Sequence, residues 1–127
     1  MRILVADDDA SVLRFVARAL EALGHEVGTA GGGVELVRLA GVVKPDLILS
    51  DIEMPHCDGI RACHILRDAL PGARFVLMTG NPDCSVAAKR DGFELVLHKP
   101  FELEELTRAL QDAKPRREAR PRGRGAA

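Results

Sequence analysis

Asp7-Asp8, Asp51 and Lys99-Pro100 lie far apart in the chain, yet each closes a short apolar run that reads as a β-strand. Thr79 closes another run of the same kind. In a parallel sheet the carboxyl ends of all strands share one edge, so remote residues of this sort converge there. Three carboxylates and one ammonium in a single crevice make a site for a divalent cation and a transferable anion. Other metal chemistry finds little support. His25, His56, His64 and His98 are scattered, no HExxH is present, and Cys57, Cys63 and Cys84 form no CxxC pair. A zinc site is therefore not expected, and the three cysteines read as small thiols in a reducing compartment.

The elements that would position these residues follow from hydrophobic periodicity. Arg2 to Ala6 is a compact apolar run, and Asp9 or Ser11 can cap the helix after it. In that helix Val12, Phe15, Val16, Ala19, Leu20 and Leu23 recur at helical spacing until Gly24 stops the pattern. His25 to Ala30 is a weaker strand. Gly31-Gly32-Gly33 opens a helix through about Val43; the cluster matches neither GxGxxG nor a P-loop and reads as a plain loop. Asp46 to Ser50 is a strand ending on Asp51, and Asp58-Gly59 leads into a helix carrying Ile60, Cys63, Leu66 and Leu70, closed by Pro71-Gly72. Arg74 to Thr79 is the next strand, followed by a short helix ending near Asp91-Gly92. Phe93 to His98 is the last strand, and Glu102 to Asp112 the last helix. Five strand–helix units in succession predict an α/β fold, a doubly wound parallel sheet with helices on both faces and right-handed crossovers. Leu47-Ile48-Leu49 is apolar on both faces, as a sheet covered on both sides requires.

The chain has 127 residues, 46% of them hydrophobic and 29% charged, which fits one globular domain with a buried core. Charges interrupt every apolar stretch well short of the roughly 18 residues a membrane span needs, so no membrane segment is expected. Met1-Arg2-Ile3-Leu4 runs straight into Asp7 and leaves no room for a signal-peptide apolar region. The expected location is the cytoplasm. The net charge of −1 hides an asymmetry. Residues 114–127 carry Lys114, Arg116, Arg117, Arg120, Arg122 and Arg124 against Glu118 alone, while the rest holds 12 basic and 18 acidic side chains. The reading is a folded body over residues 1–113 and a basic, disordered tail or linker over 114–127. Arginines in the tail could attract nucleic acid, but no aromatic is interleaved and no helix-turn-helix follows; a solvated arm is the expectation.

The segments Ile3 to Asp9, Asp51 to Gly59, Met78-Thr79-Gly80 and Lys99-Pro100-Phe101, in that order and at that spacing, resemble the receiver domains of two-component response regulators (CheY-like). The resemblance covers residues 1 to about 113. It implies a flavodoxin-like fold with five strands in the order 2-1-3-4-5, flanked by five helices. It further implies that Asp51 is the phosphoacceptor, taking a phosphoryl group from a histidine kinase or phosphotransfer protein. Mg²⁺ would be the cofactor, with Asp8 and Asp51 as direct ligands, the Glu53 backbone carbonyl as a third, and Asp7 acting mostly through water. Lys99 would pair with Asp51 and then with a phosphoryl oxygen, and Thr79 would donate its hydroxyl to another. Such a domain is a signalling phosphoacceptor rather than an enzyme on other substrates, and it acts on a downstream protein target or output domain. The family also usually holds the peptide bond before a proline such as Pro100 in the cis form. Glu53 and Asn81 lie where family members tune hydrolysis, whereas Met54-Pro55 and Gly59 read as architectural and His56 and His64 as surface residues.

Two positions depart from the pattern. Family members often place Tyr or Phe where this chain has Val96, a side chain too small and too stiff at χ1 to signal by ring rotation. The expectation is an output that relies on the loop from Thr79 to Asn81 and the helix beside it. Cys57 stands where a methionine is common. Two other classes of function stay open at this point. One is a pseudo-receiver that keeps the fold as an interaction module without responding to phosphate. The other is an aspartyl phosphohydrolase, for which Glu53 stands at a suitable spacing from Asp51 but the chain offers no cap over a substrate pocket.

Overall fold

The computed structural model describes residues 1–54 and 59–113. The basic tail, together with Pro55, His56, Cys57 and Asp58, lies outside the described residues. Five strands alternate with five helices: β1 (Arg2–Ala6), α1 (Ala10–Ala22), β2 (Glu26–Ala30), α2 (Gly33–Val43), β3 (Leu47–Asp51), α3 (Gly59–Ala69), β4 (Arg74–Thr79), α4 (Pro82–Arg90), β5 (Val96–His98) and α5 (Leu103–Asp112). All neighbouring strands are parallel, in the order β2-β1-β3-β4-β5. This is the doubly wound sheet expected from the sequence. Its order reverses beside β1, which places a crevice at the carboxyl ends of β1 and β3.

Strand alternation sorts the core into two layers. Ile3, Val5, Leu47, Leu49, Val76 and Met78 face one way and pack against Val16 and Leu20 of α1 and Leu106 and Leu110 of α5. Leu4, Ala6, Ile48 and Leu77 face the other way, against Leu36 and Ala40 of α2, Ala62, Cys63 and Leu66 of α3, and Ala88 of α4. Each fully buried Leu, Ile or Val contributes roughly 1.5–3 kcal/mol relative to exposure. The apolar stripe of α1 is wider than the face it buries: Phe15 and Leu23 remain 51% and 45% exposed.

Helix starts obey local chemistry. Asp9 caps α1 by accepting from the Ser11 and Val12 amides. Asn81 caps α4 through the Asp83 amide, with Pro82 at the first helical position. Glu105 reaches back to the Glu102 amide at 3.0 Å to start α5. Past α1, Gly24 takes φ +95°, a left-handed value that a side chain would strain.

The last strand is shorter than the periodicity suggests, beginning at Val96 rather than Phe93. Phe93 leaves the strand alternation and plugs the layer beneath α3 and α4, only 3% exposed. Its ring stands edge-on to Phe75 at 5.9 Å and to His64 at 5.4 Å, with the Arg67 guanidinium 4.4 Å from its centroid. His64 is half-exposed, as expected of a surface residue, yet it is also engaged. Its Nε2 lies 3.3 Å from Asp91 and its Nδ1 2.9 Å from Arg67, so it ties α3 to the end of α4. Among the described residues, no helix is long and apolar enough to cross a membrane.

Candidate functional site

Each residue singled out by type and spacing arrives at one edge of the sheet. Asp7 and Asp8 directly follow β1, Asp51 ends β3, Thr79 ends β4 and Lys99 follows β5. One carboxylate oxygen from each of Asp7, Asp8 and Asp51 lies within 4.8 Å of the others. Asp7 and Asp51 are 1% and 3% exposed, while Asp8 is open to solvent. The Lys99 ammonium lies 2.7 Å from Asp7 Oδ2 and 3.3 Å from Asp51 Oδ1.

The backbone holds this arrangement in place. Asp7 Oδ1 accepts the Asp9 amide at 2.9 Å, so the turn that caps α1 also orients the first carboxylate. The Lys99 amide donates to the Thr79 carbonyl at 2.8 Å, and the Lys99-Pro100 peptide bond is cis. Gly59 opens α3 directly against the end of β3. A Cβ there would stand 1.8 Å from the Asp51 carbonyl oxygen, closer than any contact tolerates.

Electrostatics distinguish the two buried carboxylates. Both oxygens of Asp7 are satisfied, one by Lys99 and one by the Asp9 amide. Asp51 Oδ1 is buried and accepts no hydrogen bond among the described residues: Lys99 Nζ lies 3.3 Å away as an ion pair, but not at a hydrogen-bonding angle. Burial raises the Asp51 pKa to about 6; the charge of Asp7 adds to this, while Lys99 and a hydrogen bond from the Glu53 backbone work against it. Burial also acts to lower the Lys99 pKa, but its hydrogen bond to Asp7 and the two neighbouring carboxylates prevail and hold it above its ordinary value. The lysine thus makes its short contact with Asp7, where the resemblance pairs it with Asp51. The side chain of Asp7 is the more deeply buried of the two and draws the ammonium more strongly, which leaves Asp51 with acceptor capacity to spare. An all-oxygen donor set with one orphaned buried oxygen suits a hard divalent cation such as Mg²⁺.

Thr79 is fully buried, and its hydroxyl accepts from the Asn81 amide at 2.9 Å. The same hydroxyl donates toward Glu53 Oε1 and the Asn81 carbonyl, each at 3.2 Å. Cys84, on the first turn of α4, lies beside this group. Burial, then the Glu53 charge, raise its pKa, although the Thr79 hydroxyl opposes them, so it stays a thiol. Sequence reasoning singled out Glu53 and Asn81 but missed the Glu53 side chain and Cys84 as neighbours of Thr79. The Asn-Pro pair is a readable cap signal, whereas nothing local marks the other two. Val96 is half-buried in β5 against the layer beneath α3 and α4.

A five-stranded doubly wound sheet with an acidic crevice and a lysine at its carboxyl edge defines a receiver domain. The model of the response regulator receiver domain matches residues 3–111, and the chain belongs to that family. It is 37% identical over 108 residues to the response regulator MprA of Mycobacterium avium (strain 104), an alignment covering 84% of this chain and 47% of that protein. It is 36% identical over 114 residues to the DNA-binding transcriptional regulator NtrC of Azospirillum brasilense, covering 87% of this chain and 24% of the other. The chain thus spans about half the length of MprA or less than that of its longer relative. Among solved structures, the chemotaxis response regulator CheY4 of Vibrio cholerae superposes with a TM-score of 0.82 at 29% identity, covering 89% of this chain and 98% of that one. The response regulator TrrA of Thermotoga maritima, in complex with Mg(2+)-BeF, gives a TM-score of 0.82 at 26% identity over the same shares.

Proposed function

We propose that this receiver domain is a phosphorylation switch, with Asp51 accepting a phosphoryl group from a phosphohistidine on a histidine kinase or phosphotransfer protein. The observation that carries the reading is the orphaned oxygen of Asp51, buried beside an ammonium and two further carboxylates. In the transfer, the Asp51 carboxylate attacks phosphorus, the P–N bond to the donor histidine breaks, and the imidazole nitrogen keeps that electron pair. Phosphoryl transfer needs positioning and charge neutralisation more than covalent help from the protein. Asp8, Asp51 and the Glu53 backbone carbonyl would hold Mg²⁺, with Asp7 acting through water. When bound, the ion offsets the negative charge that otherwise repels an incoming phosphoryl group. Lys99 stays anchored on Asp7 and offers its remaining N–H groups to a phosphoryl oxygen, and Thr79 donates its hydroxyl to another.

Support for the ion comes from the all-oxygen donor set and from TrrA, solved with Mg(2+)-BeF. Without an aromatic ring at Val96, the conformational signal travels through the loop from Thr79 to Asn81 and through α4 to a protein target or an output domain. Incubation with acetyl phosphate or phosphoramidate and Mg²⁺ should add the mass of one phosphoryl group to the wild type and none to Asp51→Asn, read by intact-mass spectrometry. An unlabelled wild type would leave a receiver fold that serves only as an interaction module.

A further inference from the structure

We infer that the Glu53 side chain is a positioning residue for Thr79, occupying the hydroxyl proton that phosphoryl recognition needs. The inference rests on the receiver reading above, but its evidence is separate from the acidic crevice. Thr79 has one hydroxyl proton, and the oxygen acceptors in range are Glu53 Oε1 and the Asn81 carbonyl, both at 3.2 Å. Its acceptor side is taken by the Asn81 amide at 2.9 Å. Donation to a phosphoryl oxygen therefore requires the hydroxyl to leave whichever of these acceptors holds its proton. A carboxylate is a stronger competitor than a neutral carbonyl, since charge-assisted hydrogen bonds are about twice as strong. Among the described residues Glu53 forms no ion pair, so the hydrogen bond to Thr79 is the contact that gives its exposed side chain a direction.

Glu53 and Thr79 end up adjacent because β3 and β4 pair in register, with Asp51 opposite Met78. Glu53 stands just past the end of one strand and Thr79 at the end of the next. The resting state thereby holds the hydroxyl in its own loop, and an arriving phosphoryl group displaces one specific acceptor. The side chain thus sets how readily Thr79 is released, a role distinct from the contribution of its backbone carbonyl.

A double-mutant cycle tests this with beryllofluoride and Mg²⁺ as the phosphoryl probe, titrated by NMR on the full chain. Glu53→Ala should tighten beryllofluoride binding about 5-fold, the size of one net hydrogen bond, and should do so only when Thr79 is present. In the Thr79→Ala background the same substitution should change nothing. An equal gain in both backgrounds would show charge repulsion instead of a latch and overturn the inference, as would no gain in the wild-type background. A wild type that does not bind the probe would count against the receiver reading. In that event the Thr79 χ1 populations of ligand-free wild type and Glu53→Ala, from scalar couplings, still decide: a shift supports the latch and identical populations remove it.

Discussion

Burial and charge pull Asp51 in opposite directions, and the balance makes its ionisation costly to the fold. Its pKa stands at about 6 in the folded protein against an ordinary 3.8, so the protonated form favours the native state. The stability this represents is complete below about 3.8 and is lost as the pH rises through about 6. In metal-free protein at about pH 7.5, Asp51→Asn should therefore be more stable than wild type by roughly 2–3 kcal/mol, a gain that vanishes near pH 4. Urea melts followed by far-UV circular dichroism in the presence of a chelator would show it; a stability difference independent of pH would contradict the assigned strain. Ionised Asp51 is thus held ready for a cation and an electrophile at some expense to the fold, a common property of functional sites.

At the scale of elements, the start of α3 packs directly against the end of β3. Gly59 lets the helix start against the Asp51 carbonyl and donates its amide to Ile52 at 2.8 Å. Gly59→Ala must push strand end and helix apart, and overpacking of this kind costs typically about 1–3 kcal/mol. Because the displaced backbone carries Asp51, phosphorylation should fall together with the melting temperature. The comparison variant is Gly41→Ala, on an open helical surface where a Cβ meets nothing within 4 Å. It should leave labelling unchanged and slightly raise the melting temperature through better helix propensity. Equal labelling of Gly59→Ala and wild type would show that the close approach is not needed to place the carboxylate.

At the scale of the whole molecule, both core layers hang on the same five strands, so neither can open without exposing the other. Unfolding should be a single cooperative transition. Methyl NMR signals from Leu20 on the α1 side and Leu36 on the α2 side should be lost at the same urea concentration as the circular dichroism signal; separated midpoints would indicate independent halves. The chain has neither Trp nor Tyr, so intrinsic tryptophan or tyrosine fluorescence cannot follow this. Mg²⁺ at about ten times its dissociation constant should add roughly 1.4 kcal/mol to that transition. Asp8→Asn should reduce the shift, since Asp8 is the solvent-facing member of the cluster.

Much of this was legible in the chain itself. Apolar runs closed by Asp7-Asp8, Asp51, Thr79 and Lys99 announced strands whose ends meet, because parallel topology brings carboxyl termini to one edge. Helix bounds followed from period and caps, as with Asp9 and Gly24, whose effects act within a few residues. Phe93 misled, because alternation records the apolar type of a side chain and not the aromatic partners that draw it out of a strand. Only the tertiary structure decided that Lys99 makes its short contact with Asp7, that one oxygen of Asp51 is left without a hydrogen bond, and that the Glu53 carboxylate comes within reach of the Thr79 hydroxyl. These outcomes depend on depth of burial and on angles between groups remote in the chain, and residue order carries neither.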